Sequence, residues 1–232
     1  MTSQHLNRIL CIGQPGDSSD GAERILEAAS GAEAEVIALV GDLAHDPDGY
    51  RDLFGTFARA RLPVYWVPGA GDAPIDHYLK ASYNIEVVFP TVRGLHGTAA
   101  FAPDTGVVFA GMGGEISDNP DTPREEQSRL RYPRWEAAYR VKVLELLDYN
   151  ALVMLFATAP AHKGHNTPGS EAVAELVGTY RPRLVVCGGP RGVEILGTSL
   201  VVAPGSLADG HYAVAEVHAG TAELAELSVA AR

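Results

Sequence analysis

Cysteine is scarce in this chain. There are two in 232 residues, Cys11 and Cys187, and no Cys-x-x-Cys pair. Each sits inside a short apolar segment, which argues against a disulfide framework or a thiolate metal centre and for two buried, reduced thiols. Long apolar runs are missing too. Stretches such as Ala151–Ala159 fall far short of the roughly 20 residues a membrane-spanning helix needs. The first seventeen residues offer about five apolar residues before a Gly/Pro turn, unlike a secretory signal, so a cytoplasmic protein is expected. Basic residues are outnumbered, 18 against 29 acidic, for a net charge of −11. Nucleic acid and anionic membranes reward clustered Lys and Arg, so neither is expected as the main partner. Runs of like charge are also lacking, which spreads the acid over solvated faces.

What is present suits a globular fold. Hydrophobic residues make up 46% and charged residues 20%, ordinary values for a soluble chain with a core of useful size. Neither an internal repeat, a low-complexity tract nor a linker interrupts the sequence, so residues 1–232 are expected to form a single domain. Short β-rich runs alternate with amphipathic stretches. Arg8–Ile12, Glu35–Val40 and Val64–Val67 are expected strands, separated by helices over Gly21–Ser30, with Asp20 as its cap, and over Tyr50–Ala60. That order predicts parallel strands with helical crossovers, and the continuous apolar strands imply a sheet covered on both faces. The middle predicts three short antiparallel strands, Glu86–Phe89, Gly97–Ala102 and Gly106–Ala110. An acidic surface loop over Ser117–Arg131 and a helix over Trp135–Leu147 follow, with Trp135 expected as a packing anchor. Further on come a strand over Leu152–Phe156, a helix over Glu171–Tyr180 and a strand over Leu184–Cys187. The last residues predict short strands at Glu194–Leu196, Ser199–Val202, Tyr212–Val217 and Leu224–Val229.

The strand ends carry the functional information. Four buried strands stop in small-residue turns: Gly13–Gly16, Gly41-Asp42, Gly69–Asp72 and Gly188-Gly189. A fifth stops at Ala157-Thr158. Ligands of open α/β sheets bind beyond the carboxyl ends of the strands, so these turns should converge on one pocket.

In this order the turns resemble the motifs of the calcineurin-like metallophosphoesterases. That family carries Asp-x-His after strand one, Gly-Asp-x-x-Asp after strand two and Gly-Asn-His-Asp/Glu after strand three. A lone His and then Gly-His-x-His follow. The matching stretches are Gln14-Pro15-Gly16, Gly41-Asp42-Leu43-Ala44-His45, Gly69-Ala70-Gly71-Asp72, Thr158, and Gly188-Gly189-Pro190-Arg191. The likeness runs from about Arg8 to Val217. It implies a four-layer α/β/β/α sandwich of two mixed β-sheets flanked by helices, and a phosphoester hydrolase ancestry. It also implies a pair of divalent ions (Mn, Fe, Zn or Mg) that bind phosphate and activate a water.

The residues expected to hold those ions are mostly absent. Gln14 stands for Asp, Gly16 and Gly71 for His, Ala70 for Asn, Thr158 and Gly189 for His, and Arg191 for His. Asp42 remains, with His45 in place of the motif's second acid, and together these two could hold one ion. Asp72 matches a residue that supports the site. Asp17 could replace a lost ligand by a shift of its loop, and Glu115, after the Gly111–Gly114 turn, is a possible base. His162 and Lys163, near the mouth, and Arg191, with its planar fork, could hold an anion. Three expectations follow: a non-catalytic protein that binds an anionic small molecule or a protein partner, a hydrolase with one metal or a rearranged set, or a pocket with metal-free chemistry. A homo-oligomer is compatible with all three.

Overall fold

Apolar residues in the strands alternate between two destinations, and that alternation builds the layers. The computed structural model describes residues 6–16, 19–60, 62–72, 74–162 and 169–227. The order begins β1 (Arg8–Gly13), α1 (Ser19–Gly31), β2 (Val36–Gly41), α2 (Pro47–Arg59), β3 (Val64–Pro68), α3 (Ile75–Val88) and β4 (Val92–Gly94). It continues β5 (Thr98–Phe101), β6 (Val107–Met112), β7 (Glu115–Ser117), α4 (Glu126–Arg129), β8 (Arg131–Pro133), α5 (Arg134–Val141) and β9 (Ala151–Phe156). It ends α6 (Glu171–Tyr180), β10 (Leu184–Cys187), β11 (Gly192–Leu196), β12 (Ser199–Ala203), β13 (His211–Glu216) and β14 (Thr221–Glu226). Among the described residues one six-stranded sheet runs β14-β13-β1-β2-β3-β4 and a second runs β11-β12-β10-β9-β6-β5. The centre of each is parallel, and the antiparallel pairs lie at the edges. This is the expected α/β/β/α sandwich.

Between the sheets lie Ile9, Cys11, Val36, Ala38 and Val40 from the first and Phe109, Val153, Leu155, Leu184 and Val186 from the second. Tyr65 stacks on Phe109 there, 4.2 Å between ring centroids. The intervening residues turn outward: Leu10, Ile12, Ile37 and Leu39 meet Ile25, Leu53, Phe54 and Phe57 of α1 and α2. Both cysteines are buried and free, and burial pushes the Cys187 thiol up to about 12.

Four expectations need correction. Glu86–Phe89 is not a strand. Glu86–Val88 is the last turn of α3: Glu86 lies one turn on from the buried Ser82 and accepts the Gly94 N–H, while Val87 and Val88 are exposed, so tertiary packing overrides local β-propensity. Asp20 lies inside α1 and is not its cap. Ser117–Arg131 is not a bare loop but holds α4 and carries the ends of the β7–β8 ribbon. Trp135 is 62% exposed and is no packing anchor. Elsewhere the caps act as their residue types suggest. Asp46 accepts N–H bonds from Asp48 and Gly49 ahead of α2, with Pro47 in the first helical position. Ser170 accepts from Val173 at the start of α6.

Candidate functional site

The strand-end turns of both sheets converge on one cleft of about 380 Å³, lined by Gln14, Asp42, Gly69, Ala70, Glu115, Thr158 and several glycines. Its first wall comes from β2 and β3. Asp72 lies in the single-turn helix after β3, is fully buried, and acts as an acceptor for four donors. The N–H groups of Leu43 (2.8 Å), Ala44 (3.2 Å) and Gly69 (2.7 Å) and the Tyr50 hydroxyl (2.6 Å) all point at its carboxylate. Burial pushes its pKa up to about 6, and those donors hold it below what burial alone would produce. Asp72 therefore ties the turn after β2 to the turn after β3 and does not line the cleft.

Asp42 does line it. Its Oδ1 accepts the Gly71 N–H at 2.8 Å. The carboxylate occupies the space a side chain at Gly71 would need: a Cβ there would sit 2.7 Å from the Asp42 carboxyl carbon. A Cβ at Gly69 would also overlap Asp42. The two glycines and the aspartate are thus one packed unit.

The second wall comes from β6 and β9. The Thr158 hydroxyl donates to Gly114 O at 3.0 Å and accepts the Ile116 N–H at 3.2 Å. Gly113 donates to His96 Nδ1 at 3.0 Å, and a Cβ at Gly113 would strike Pro68. His96 Nε2 lies 2.8 Å from the Tyr132 hydroxyl, which donates to Glu126 at 3.1 Å. Arg140 joins Glu126 and Glu136 behind it, at 2.9 and 2.7 Å. Since Nδ1 accepts, the imidazole is neutral with its proton on Nε2. Burial, and then the Arg140 charge, push its pKa down to about 4. Glu115 lines the cleft but is paired with Arg131 at 2.8 Å.

The other candidate residues stand elsewhere. Arg191 is turned from the cleft to Glu226 (3.1 Å) and the Ala225 carbonyl (3.1 Å) on the edge strand β14, so it pairs with neither Asp42 nor Asp72. His162 faces β11, with Nδ1 2.9 Å from Glu194 and Nε2 3.0 Å from Ile195 O. His45 is exposed just before the α2 cap and is not part of the lining. Asp17 and Lys163 lie outside the described residues. Gln14 lines the cleft in a left-handed conformation, φ 46°, with its N–H on Val40 O. His96 and Tyr132 had no motif to single them out.

A family model of the metallophosphoesterases of the calcineurin superfamily matches residues 45–227. The chain belongs to this superfamily. The crystal structure of TT1561 of Thermus thermophilus superposes on it with a TM-score of 0.88. That protein is 38% identical over 95% of this chain and 99% of its own. A phosphopantetheinyl hydrolase from Mycobacterium tuberculosis (TM-score 0.58, 13% identity, 86% and 89% covered) shares the fold. So does an archaeal phosphodiesterase (TM-score 0.55, 9% identity, 95% and 99% covered). No curated protein matches the chain.

The residues present do not fit the paired-metal centre that superfamily membership implies. Divalent ions need several oxygen and nitrogen donors in fixed geometry. Around this cleft Asp42 is held by Gly71, Glu115 by Arg131, and the Thr158 hydroxyl is spent on backbone in both directions. Among the described residues no three His, Cys, Asp or Glu side chains are grouped to hold an ion.

Proposed function

We propose that this chain keeps the metallophosphoesterase fold without dinuclear phosphoester hydrolysis, and that its strand-end cleft binds a small molecule non-catalytically. The observation that carries this reading is the Asp42–Gly71 unit. The resemblance calls for a metal-binding His at position 71, yet the Asp42 carboxylate fills the space beside Gly71 and is bonded to its N–H. Loss of one residue that merely orients a metal ligand typically costs ~10–100-fold in metal affinity or activity. Here most of the direct ligands are replaced, which is a far larger loss.

The described lining favours a ligand that donates hydrogen bonds. Asp42 and Glu115 each bring a second carboxylate oxygen besides the one bonded to Gly71 or Arg131, and Gln14 adds an amide, while Arg191 and His162 are engaged on the edge strands. Glycines on both walls let a ligand approach the backbone closely. A polyol, an amine or a nucleoside fits this set better than a free phosphate.

Metal content and turnover test the reading together. After purification without chelator, bound metal is expected well below one ion per chain. Hydrolysis of aryl phosphate mono- and diesters with added Mn²⁺ is expected to stay at the level of Asp42→Asn. Stoichiometric metal, or turnover that Asp42→Asn abolishes, would restore the hydrolase. A thermal-shift screen across sugars, amines, nucleosides and phosphates then names the ligand, since binding raises stability by RT ln(1 + [L]/Kd).

A further inference from the structure

The edge strands β4 and β5, one from each sheet, both line a cavity of about 420 Å³. It shares no lining residue with the strand-end cleft and falls within the roughly 300–1,000 Å³ of small-molecule sites. Two opposite charges stand in it. Arg93 is opposite Tyr65 in the β3–β4 ladder, so both side chains leave the face turned to the second sheet. Arg93 Nε donates to Pro90 O at 3.0 Å, which anchors the guanidinium and leaves its Nη groups without a hydrogen bond among the described residues. Glu86, from the last turn of α3, reaches the edge of β4, where its Oε1 accepts the Gly94 N–H at 2.8 Å. Its Oε2 lies 4.0 Å from Arg93 Nη1, beyond hydrogen-bond length.

Each charge is therefore half used, and that selects the ligand. Burial pushes the Glu86 pKa up, and the Gly94 N–H and Arg93 offset this only in part, so a cation against Oε2 is favoured. The free edge of Arg93 is a planar fork that suits a carboxylate. A simple anion would bind Arg93 but meet Glu86, and a simple cation the reverse. A compact zwitterion satisfies both. An α-amino acid carries its ammonium and carboxylate on one carbon, close enough to bridge two groups 4.0 Å apart. The rest of its body meets Pro63, Ala100 and Pro103, which offer carbon and no further charge. The Tyr65 hydroxyl is already committed to Phe101 O at 3.1 Å. An apolar side chain suits that wall better than a polar one.

We infer that the β4–β5 cavity binds a free α-amino acid with an apolar side chain, its carboxylate on Arg93 and its ammonium on Glu86. Isothermal titration calorimetry of the full chain with L-valine, L-leucine and L-phenylalanine is expected to show saturable binding of at least one, with Kd below ~1 mM. The matching amine without the carboxylate, and the matching acid without the amine, are each expected to bind about 10–100-fold more weakly. Both comparisons use the unaltered chain, so they hold whether or not a variant folds. Arg93→Gln and Glu86→Gln are each expected to weaken binding about tenfold or more, with circular dichroism unchanged, since Gln at position 86 still offers Gly94 an acceptor. No saturation with any of the three amino acids overturns the proposal. So does an amine or acid that binds as tightly as the amino acid, or binding indifferent to Arg93→Gln or Glu86→Gln. Binding that Asp42→Asn abolishes and Arg93→Gln spares would place the ligand in the strand-end cleft and overturn it as well.

Discussion

The two walls of the cleft are held by opposite chemistry. On the first sheet, carboxylates do the holding: Asp72 gathers three backbone N–H groups and the Tyr50 hydroxyl, and Asp42 takes the Gly71 N–H. On the second sheet neutral side chains hold the turn after β6, Thr158 from the end of β9 and His96 from the loop after β4. The charged groups there, Glu126, Glu136 and Arg140, are kept one step back behind Tyr132. Charge-assisted hydrogen bonds are about twice as strong as neutral ones but carry the cost of burying the charge. The first wall should therefore be the stiffer and the more sensitive to losing a single side chain. The difference also shows that a polar residue at a strand end need not face a ligand. Asp72, His96 and Thr158 all spend their polar atoms on protein groups.

The largest expected effect tests the first wall. Asp72→Ala leaves three backbone N–H groups and the Tyr50 hydroxyl without this acceptor. At about 1–3 kcal/mol per unsatisfied buried group, less the relief of removing a buried charge, the loss is expected near ~4 kcal/mol. Asp42→Ala frees one donor at an exposed position and is expected to cost under ~1 kcal/mol. Urea unfolding of both variants measures the contrast. Equal losses would mean that the two carboxylates share one role.

Next in size is a pH effect in the second wall. The native His96 imidazole stays neutral down to about pH 4, while the unfolded one takes up its proton near 6.5. Between those values the unfolded state holds the extra proton, so stability falls as the pH is lowered, by up to ~3 kcal/mol. Asp72 acts the other way. Its pKa is raised from 3.8 to about 6, so the native state holds the extra proton and stability is gained as pH falls through about 6. The wild-type profile sums these two with the shifted carboxyls of Glu86, Asp118 and Glu126, and the difference between wild type and His96→Gln isolates the imidazole. That difference is expected to shrink steadily from about pH 6.5 to 4. A difference that stays constant would mean the imidazole is not buried against Gly113 as a neutral acceptor.

Much of this was legible from residues alone. Strands such as Leu184–Cys187 and the helix Glu171–Tyr180 coincide with their expected bounds, because buried strands are continuously apolar and Ser170 caps the helix. The convergence of the five turns followed from where the apolar runs stop. Side-chain direction was not legible. Arg191 lies in the motif expected to supply a metal ligand, yet the edge strand β14 offers Glu226 and a carbonyl, and the guanidinium turns there. The same holds for His162, drawn to Glu194 and Ile195 on β11. Nor was the end of α3 legible, since Glu86–Phe89 has the composition of a strand and only its packing makes most of it a helix. Sequence patterns report burial and period, whereas partners separated by tens of residues decide where a long polar side chain points.

An effect smaller than those of Asp72 and His96 is the sharpest test of whether the second wall is structure or chemistry. The Thr158 hydroxyl is fully used, donating to Gly114 O and accepting from Ile116 N–H, although it lines the cleft. Thr158→Val keeps the shape and removes both bonds, leaving two partly buried backbone groups without this partner. A loss of ~1–2 kcal/mol is expected in the ligand-free protein, with Thr158→Ser recovering most of it. If the hydroxyl instead faced a ligand, Thr158→Val would leave the free protein as stable as wild type and lower only the stabilisation a bound ligand provides. Denaturation with and without the ligand found by thermal shift separates the two. A loss confined to the ligand-bound state would move Thr158 from the frame of the cleft to its binding surface, and the contrast between the two walls would then lie in function as well as in charge.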